Sequence, residues 1–102
     1  MIRNVVLGRL REAPDEESAR HDRDRLQQAL AGIAALDLPG LVECHVGTDA
    51  GIREGAWSFA ITNDFTDVDA YRGYDADQEH GRHRQVLVEV CDQLARVQLE
   101  IA

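Results

Sequence analysis

The sequence predicts one α+β domain of element order β-α-β-β-α-β, and three observations carry that prediction. Two stretches with apolar residues at helical spacing are set among short runs that alternate at period two. Pro39-Gly40, the Gly-rich stretch 47–55 and Asn63-Asp64 punctuate them. A length of 102 residues leaves room for a single modest core, which association with a second copy would help to cover.

The elements follow in order. Ile2 to Leu10 (IRNVVLGRL) has strand content, with Val5 and Leu7 on one face and Ile2, Asn4, Val6, Gly8 and Leu10 on the other, where Gly8 leaves a gap. Pro14 and the acidic run Asp15, Glu16 and Glu17 open a helix in the way its dipole favours. Leu26, Ala29, Leu30, Ile33 and Leu36 form its apolar stripe, while Arg20, Asp22, Arg23, Asp24 and Arg25 are expected on the solvated side, with His21 exposed among them. Pro39-Gly40 is expected to stop that helix, and Leu41 to Val46 to form the second strand. Gly47 to Gly55 connects it to the third; the stretch lacks the spacing of a nucleotide-binding loop. Trp57, Phe59 and Ile61 alternate with Ser58, Ala60 and Thr62 as the third strand, ended by Asn63-Asp64, and Trp57 reads as a core or interface anchor.

The next helix is expected to be broken. Thr66 can cap a short segment over Asp67 to Gly73, and Gly73 with Asp75-Ala76-Asp77 marks an end and a new start, with Asp77 as N-cap and His80 at the third helical position. In one unbroken helix, six residues at ~100° each would leave Tyr74 and His80 about 120° apart, so the break lets both rings point into one space. Leu87, Val90, Cys91 and Leu94 are then the apolar face of a helix reaching about Gln93, and Val97, Leu99 and Ile101 alternate as the closing strand. This is the ferredoxin-like order, a four-stranded antiparallel sheet with helices on one face. The strands carry apolar groups on both faces, and a bare apolar sheet is a liability in a monomer, so a homodimer packed sheet to sheet is expected.

Composition narrows the function. The net charge is −8, from 19 acidic and 11 basic residues, and every basic residue is Arg. Such a field repels phosphate backbones and anionic lipid, so neither nucleic acid nor a membrane is expected as a partner. The absence of Lys excludes Schiff-base chemistry and a P-loop lysine. Cys44 and Cys91 are few and far apart, no signal peptide or spanning apolar run is visible, and reduced buried thiols in a cytoplasmic protein are expected. His80 and His83, with His45 or Cys44, are the only pattern with metal-ligand types, and the i, i+3 spacing alone is common; no metal site is expected.

The opening IRNVVLGRL, the PGL before the second strand and the run from Phe65 through Tyr74 to His80 resemble the stress-responsive A/B barrel (Dabb) family of small dimeric α+β barrels. The resemblance spans nearly the whole chain. A plant polyketide cyclase of that family works without metal or organic cofactor and uses a Tyr and a His spaced as Tyr74 and His80 are, so the resemblance implies these two as catalytic residues and no cofactor. Three departures stand out. Asn4 occupies a first-strand position where the family often has His, Asp77-Gln78-Glu79-His80 replaces His-Pro-Ala-His, and Gly8 replaces a frequent aromatic.

The chemistry these residues offer is proton transfer. His80 lies seven residues before Leu87 and so faces the sheet; burial and the helix N-terminus favour neutral imidazole, while Glu79 and Asp77 oppose. A neutral His80 can remove an α-proton while the Tyr74 phenol hydrogen-bonds the enolate oxygen. Asn4, Val6, Gly8 and Leu87 are the expected ligand contacts in a cavity between sheet and helices. The reading is thus a homodimer binding a small hydrophobic or polyketide-like molecule, with cofactor-free cyclase or lyase activity open. The competing expectations are a non-catalytic stress or accessory dimer, with Tyr74 and His80 as packing residues, and, by fold analogy, a cofactor-independent monooxygenase.

Overall fold

The computed structural model describes residues 1 to 102. Four strands, β1 (Ile2–Leu10), β2 (Leu41–Thr48), β3 (Phe59–Phe65) and β4 (Cys91–Glu100), form one antiparallel sheet in the order β2-β3-β1-β4. Helices α1 (Glu16–Ala34), α2 (Val68–Ala76) and α3 (Gln78–Val90) cover one face. The ferredoxin-like order expected from the sequence is therefore present, with its second helix in two pieces.

Local chemistry accounts for the helix starts. Asp15 is extended and accepts from the Ser18 amide at 2.7 Å, with Glu16 and Glu17 in the first turn of α1. For α2 the cap is Asp67, which accepts from the Ala70 amide at 2.8 Å; the expected cap, Thr66, lies one residue outside. Asp77 (φ −66°, ψ 134°) breaks the run and caps α3, accepting from the His80 amide at 2.9 Å. Gly73 is inside α2, so the break falls at Asp77 alone.

Several boundaries differ from the pattern-based reading, among them the end of β2, which pairs with β3 past Val46 to Thr48 instead of giving way to the connection at Gly47. Helix α1 ends at Ala34, before Leu36 and Pro39. Gly40, at φ +79°, then makes the turn that glycine favours, and a Cβ there would lie 2.4 Å from the Ala70 side chain. Strand β3 begins at Phe59 rather than Trp57 and continues through Asn63 and Asp64, because both pair with β1 and β2. Helix α3 stops at Val90, and Cys91 and Leu94 belong to β4: the whole length of β1 offers its edge, and the chain pairs there from Cys91 onward. Cys91 is thus a strand residue, and both cysteines are free and half-buried.

The core joins Leu26, Ala29, Leu30 and Ile33 of α1 to Phe59 and Ile61 of β3 and Leu87 and Val90 of α3. Each large apolar side chain buried here contributes about 1.5–3 kcal/mol. Asp22, expected outside, is buried: Arg11, between β1 and α1, donates to it from Nε at 2.9 Å and from Nη2 at 3.2 Å. The other sheet face is open. Val5 and Leu7 of β1 and Ala95, Val97 and Leu99 of β4 share it, with Leu7 44%, Val97 49% and Leu99 45% exposed. The ion pairs Arg3–Asp64 and Arg9–Asp92 bracket that apolar band at its two ends.

Candidate functional site

The break at Asp77 brings Tyr74, in the last turn of α2, against His80, in the first turn of α3. Their rings stack with centroids 3.9 Å apart at 29°. Phe65, from the end of β3, backs Tyr74 at 5.1 Å and Tyr71 at 5.6 Å, so an aromatic cluster fixes the pair. Both residues are buried.

Their protonation follows from burial. Desolvation, and after it the Arg84 guanidinium, holds the His80 imidazole below its ordinary value; the Tyr74 carbonyl, Asp75 and Asp77 oppose this. His80 is therefore neutral at pH 7. The dominant electrostatic cause besides burial is Arg84, one helical turn on. The Tyr74 phenol is pushed up, first by burial and then by the neighbouring Cys44 thiol, so it remains a proton donor; the Asn63 side chain pulls the other way. His80 Nδ1 is buried without a hydrogen-bond partner.

These two side chains border a cleft between the sheet and α2/α3. Val6, Ile33, Ile61, Leu87 and Leu94 form its apolar walls, Asn4 lies on its floor, and Tyr71, Asp75, Arg84 and Arg96 complete the lining. Its closed volume is about 30 Å³, the share of one water, and about 440 Å³ when the open mouth is included. Of the residues expected to line it, Asn4, Val6 and Leu87 are brought together with Tyr74 and His80. Gly8 is not. A Cβ at Gly8 would sit 2.0 Å from the Phe59 ring, so that ring already occupies the space the missing side chain leaves.

The register of the sheet adds a feature the sequence did not disclose. Gln98, Asn4, Asn63 and Cys44 are successive cross-strand partners on the helix-facing side of β4, β1, β3 and β2. Gln98 Nε2 donates to Asn4 Oδ1 (3.0 Å), Asn4 Nδ2 to Asn63 Oδ1 (3.1 Å) and Asn63 Nδ2 to Cys44 Sγ (3.1 Å). This ladder crosses all four strands and passes beside the Tyr74 phenol. Asn63 was expected to end β3; only pairing shows it to be a buried neighbour of the site. The remaining metal-ligand types are dispersed: His83 faces Glu79, His45 faces Glu43 on the open side, and no three such groups come together.

The chain is thus a small antiparallel α+β domain that sets a neutral His and a protonated Tyr on an apolar cleft. The model of the stress responsive A/B barrel domain matches residues 2–101, and the chain belongs to that family. Among solved structures it is similar to a dimeric ferredoxin-like protein of unknown function from Thermobifida fusca (23% identity, covering 98% of this chain and 90% of that one, TM-score 0.81). It is also similar to SnoaB, a cofactor-independent oxygenase from Streptomyces nogalater (18%, 98% and 91%, 0.67), and to the hydroxynitrile lyase of Passiflora edulis (17%, 99% and 93%, 0.66). No curated protein matches the chain. No helix is long and apolar enough to cross a membrane.

Proposed function

We propose that this protein is a homodimer that takes a small, largely apolar molecule bearing a carbonyl group into the cleft of each subunit and transfers a proton there without a cofactor. His80 acts as base at a carbon next to the carbonyl, and its ring receives the proton. The Tyr74 phenol hydrogen-bonds the oxygen on which the electron pair settles, and the enolate then adds to a second carbonyl of the same chain or expels a leaving group. That is cyclase or lyase chemistry of the polyketide type. The observation that carries the reading is the neutral His80 ring stacked on the Tyr74 ring at the wall of an apolar cleft.

The closed space holds about one water, so a ligand enters by moving the Tyr71, Arg84 and Arg96 side chains at the mouth, all of them partly or fully exposed. The dimer is supported by the open apolar band on the far sheet face. The distant likeness to a cofactor-independent oxygenase and to a hydroxynitrile lyase agrees with chemistry carried by side chains alone, and the alternative of oxygenation rests on the former.

The test is turnover of linear poly-β-keto acids and their thioesters by the wild type, Tyr74→Phe and His80→Ala, followed by product analysis. Loss of about 100-fold or more in each variant with the dimer intact is expected. Full activity in both variants excludes this site. No turnover by the wild type, together with no binding of either the acids or the thioesters, favours the accessory-dimer reading, in which Tyr74 and His80 only pack.

A further inference from the structure

Charge at the mouth of the cleft distinguishes one kind of small molecule from another. Arg84 is engaged: Nη1 holds Asp75 Oδ1 at 2.7 Å and Nη2 holds the Asp75 carbonyl at 3.2 Å. Arg96 has no carboxylate partner, although most arginines of the chain, including Arg3, Arg9 and Arg11, do. It projects from the helix-facing side of β4, opposite Val6 of β1, and lines the cleft together with Tyr71 and Arg84. Two guanidinium groups and one carboxylate therefore face this opening, an excess of positive charge on a chain whose net charge is −8. An unpaired cation on a core-facing edge position, in front of the apolar walls of Val6, Leu87 and Leu94, is arranged to receive an anion whose remainder is apolar.

We propose that the ligand is a carboxylic acid, its carboxylate held at the mouth by the Arg96 guanidinium and its apolar chain directed inward toward Tyr74 and His80. The inference rests on the reading of this cleft as the ligand site. The guanidinium fork matches a carboxylate with two parallel hydrogen bonds, a geometry that neither an amide nor an ester reproduces. Tyr71, kept protonated by burial and by Asp75 against the weaker pull of Arg96 and Arg84, offers a further donor beside the carboxylate.

Hexanoate and hexanamide, which share size and shape and differ in charge, separate the possibilities when titrated into the full chain at fixed ionic strength. The readout is the His80 and Tyr74 ring resonances. Hexanoate is expected to shift both rings and to bind roughly tenfold more tightly than hexanamide, the strength of a charge-assisted pair. Arg96→Gln should bring hexanoate down to the level of hexanamide and leave hexanamide unchanged. Equal binding of the two probes, or hexanoate binding untouched by Arg96→Gln, overturns the carboxylate assignment while the cleft remains a ligand site. Failure of both probes to move either ring overturns the assignment and the cleft reading together.

Discussion

Replacing Asn63 by Ala tests the buried ladder that underlies the site. Asn63 is 1% exposed and its side chain has two assigned partners, accepting from Asn4 and donating to the Cys44 thiol. The Asn4 bond contributes about 1 kcal/mol net and the thiol bond less. Truncation also strands the Asn4 amide group, 4% exposed, which costs a further ~1–3 kcal/mol because its N–H loses its acceptor. A total near 3 kcal/mol is expected, which at this chain length corresponds to a fall in Tm of roughly 12–20 °C. Urea and thermal unfolding at fixed protein concentration measure it, since a dimer links stability to concentration. Asn4→Ala/Asn63→Ala should cost less than the two single changes combined, by about 1 kcal/mol, because the second truncation removes the group the first one stranded. A loss below about 1 kcal/mol for Asn63→Ala, or strict additivity in the cycle, would refute the ladder as a satisfied buried network.

Two further outcomes concern the whole molecule. Val97→Asp places a carboxylate in the centre of the open apolar band, where burial costs several kcal/mol; sedimentation should show the dissociation constant of the dimer raised at least ~100-fold, and an undisturbed dimer would mean that the sheet face is not the interface. The imidazole of His80 is held below its ordinary value of 6.5 by burial and Arg84, so the unfolded chain takes up the proton first. Stability should therefore fall as the pH drops below about 6.5 and level off once the folded ring is also protonated. His80→Gln should flatten that part of the profile, and an identical slope in both proteins would contradict a buried neutral ring. Asp22 and Asp64, held low by Arg11 and Arg3, add a separate loss below about pH 4 in both proteins.

How far the site was legible varies residue by residue. The helix break was readable because Asp77 is a strong N-cap, and an N-cap acts over three residues of sequence. The inward placement of His80 followed from its spacing to Leu87 on one helical face. Asn63 looked like a strand terminator because Asn disfavours strands in isolation; pairing on both sides with β1 and β2 overrode that preference. Likewise, Leu87, Val90, Cys91 and Leu94 keep a helical period, yet the free edge of β1 draws the chain into β4 from Cys91.

The sequence by itself determined the element order, the capping aspartate Asp77, the one-sided helices and the meeting of Tyr74 with His80, because each rests on interactions among residues a few positions apart. Only the tertiary structure decided that Phe59 fills the space beside Gly8, that Gln98, Asn4, Asn63 and Cys44 line up across four strands, and that Arg96 stands unpaired at the mouth of a cleft closed to about one water. Those features depend on strand register and on which side chains meet across the core, and contacts between residues tens of positions apart leave no periodic mark in the chain.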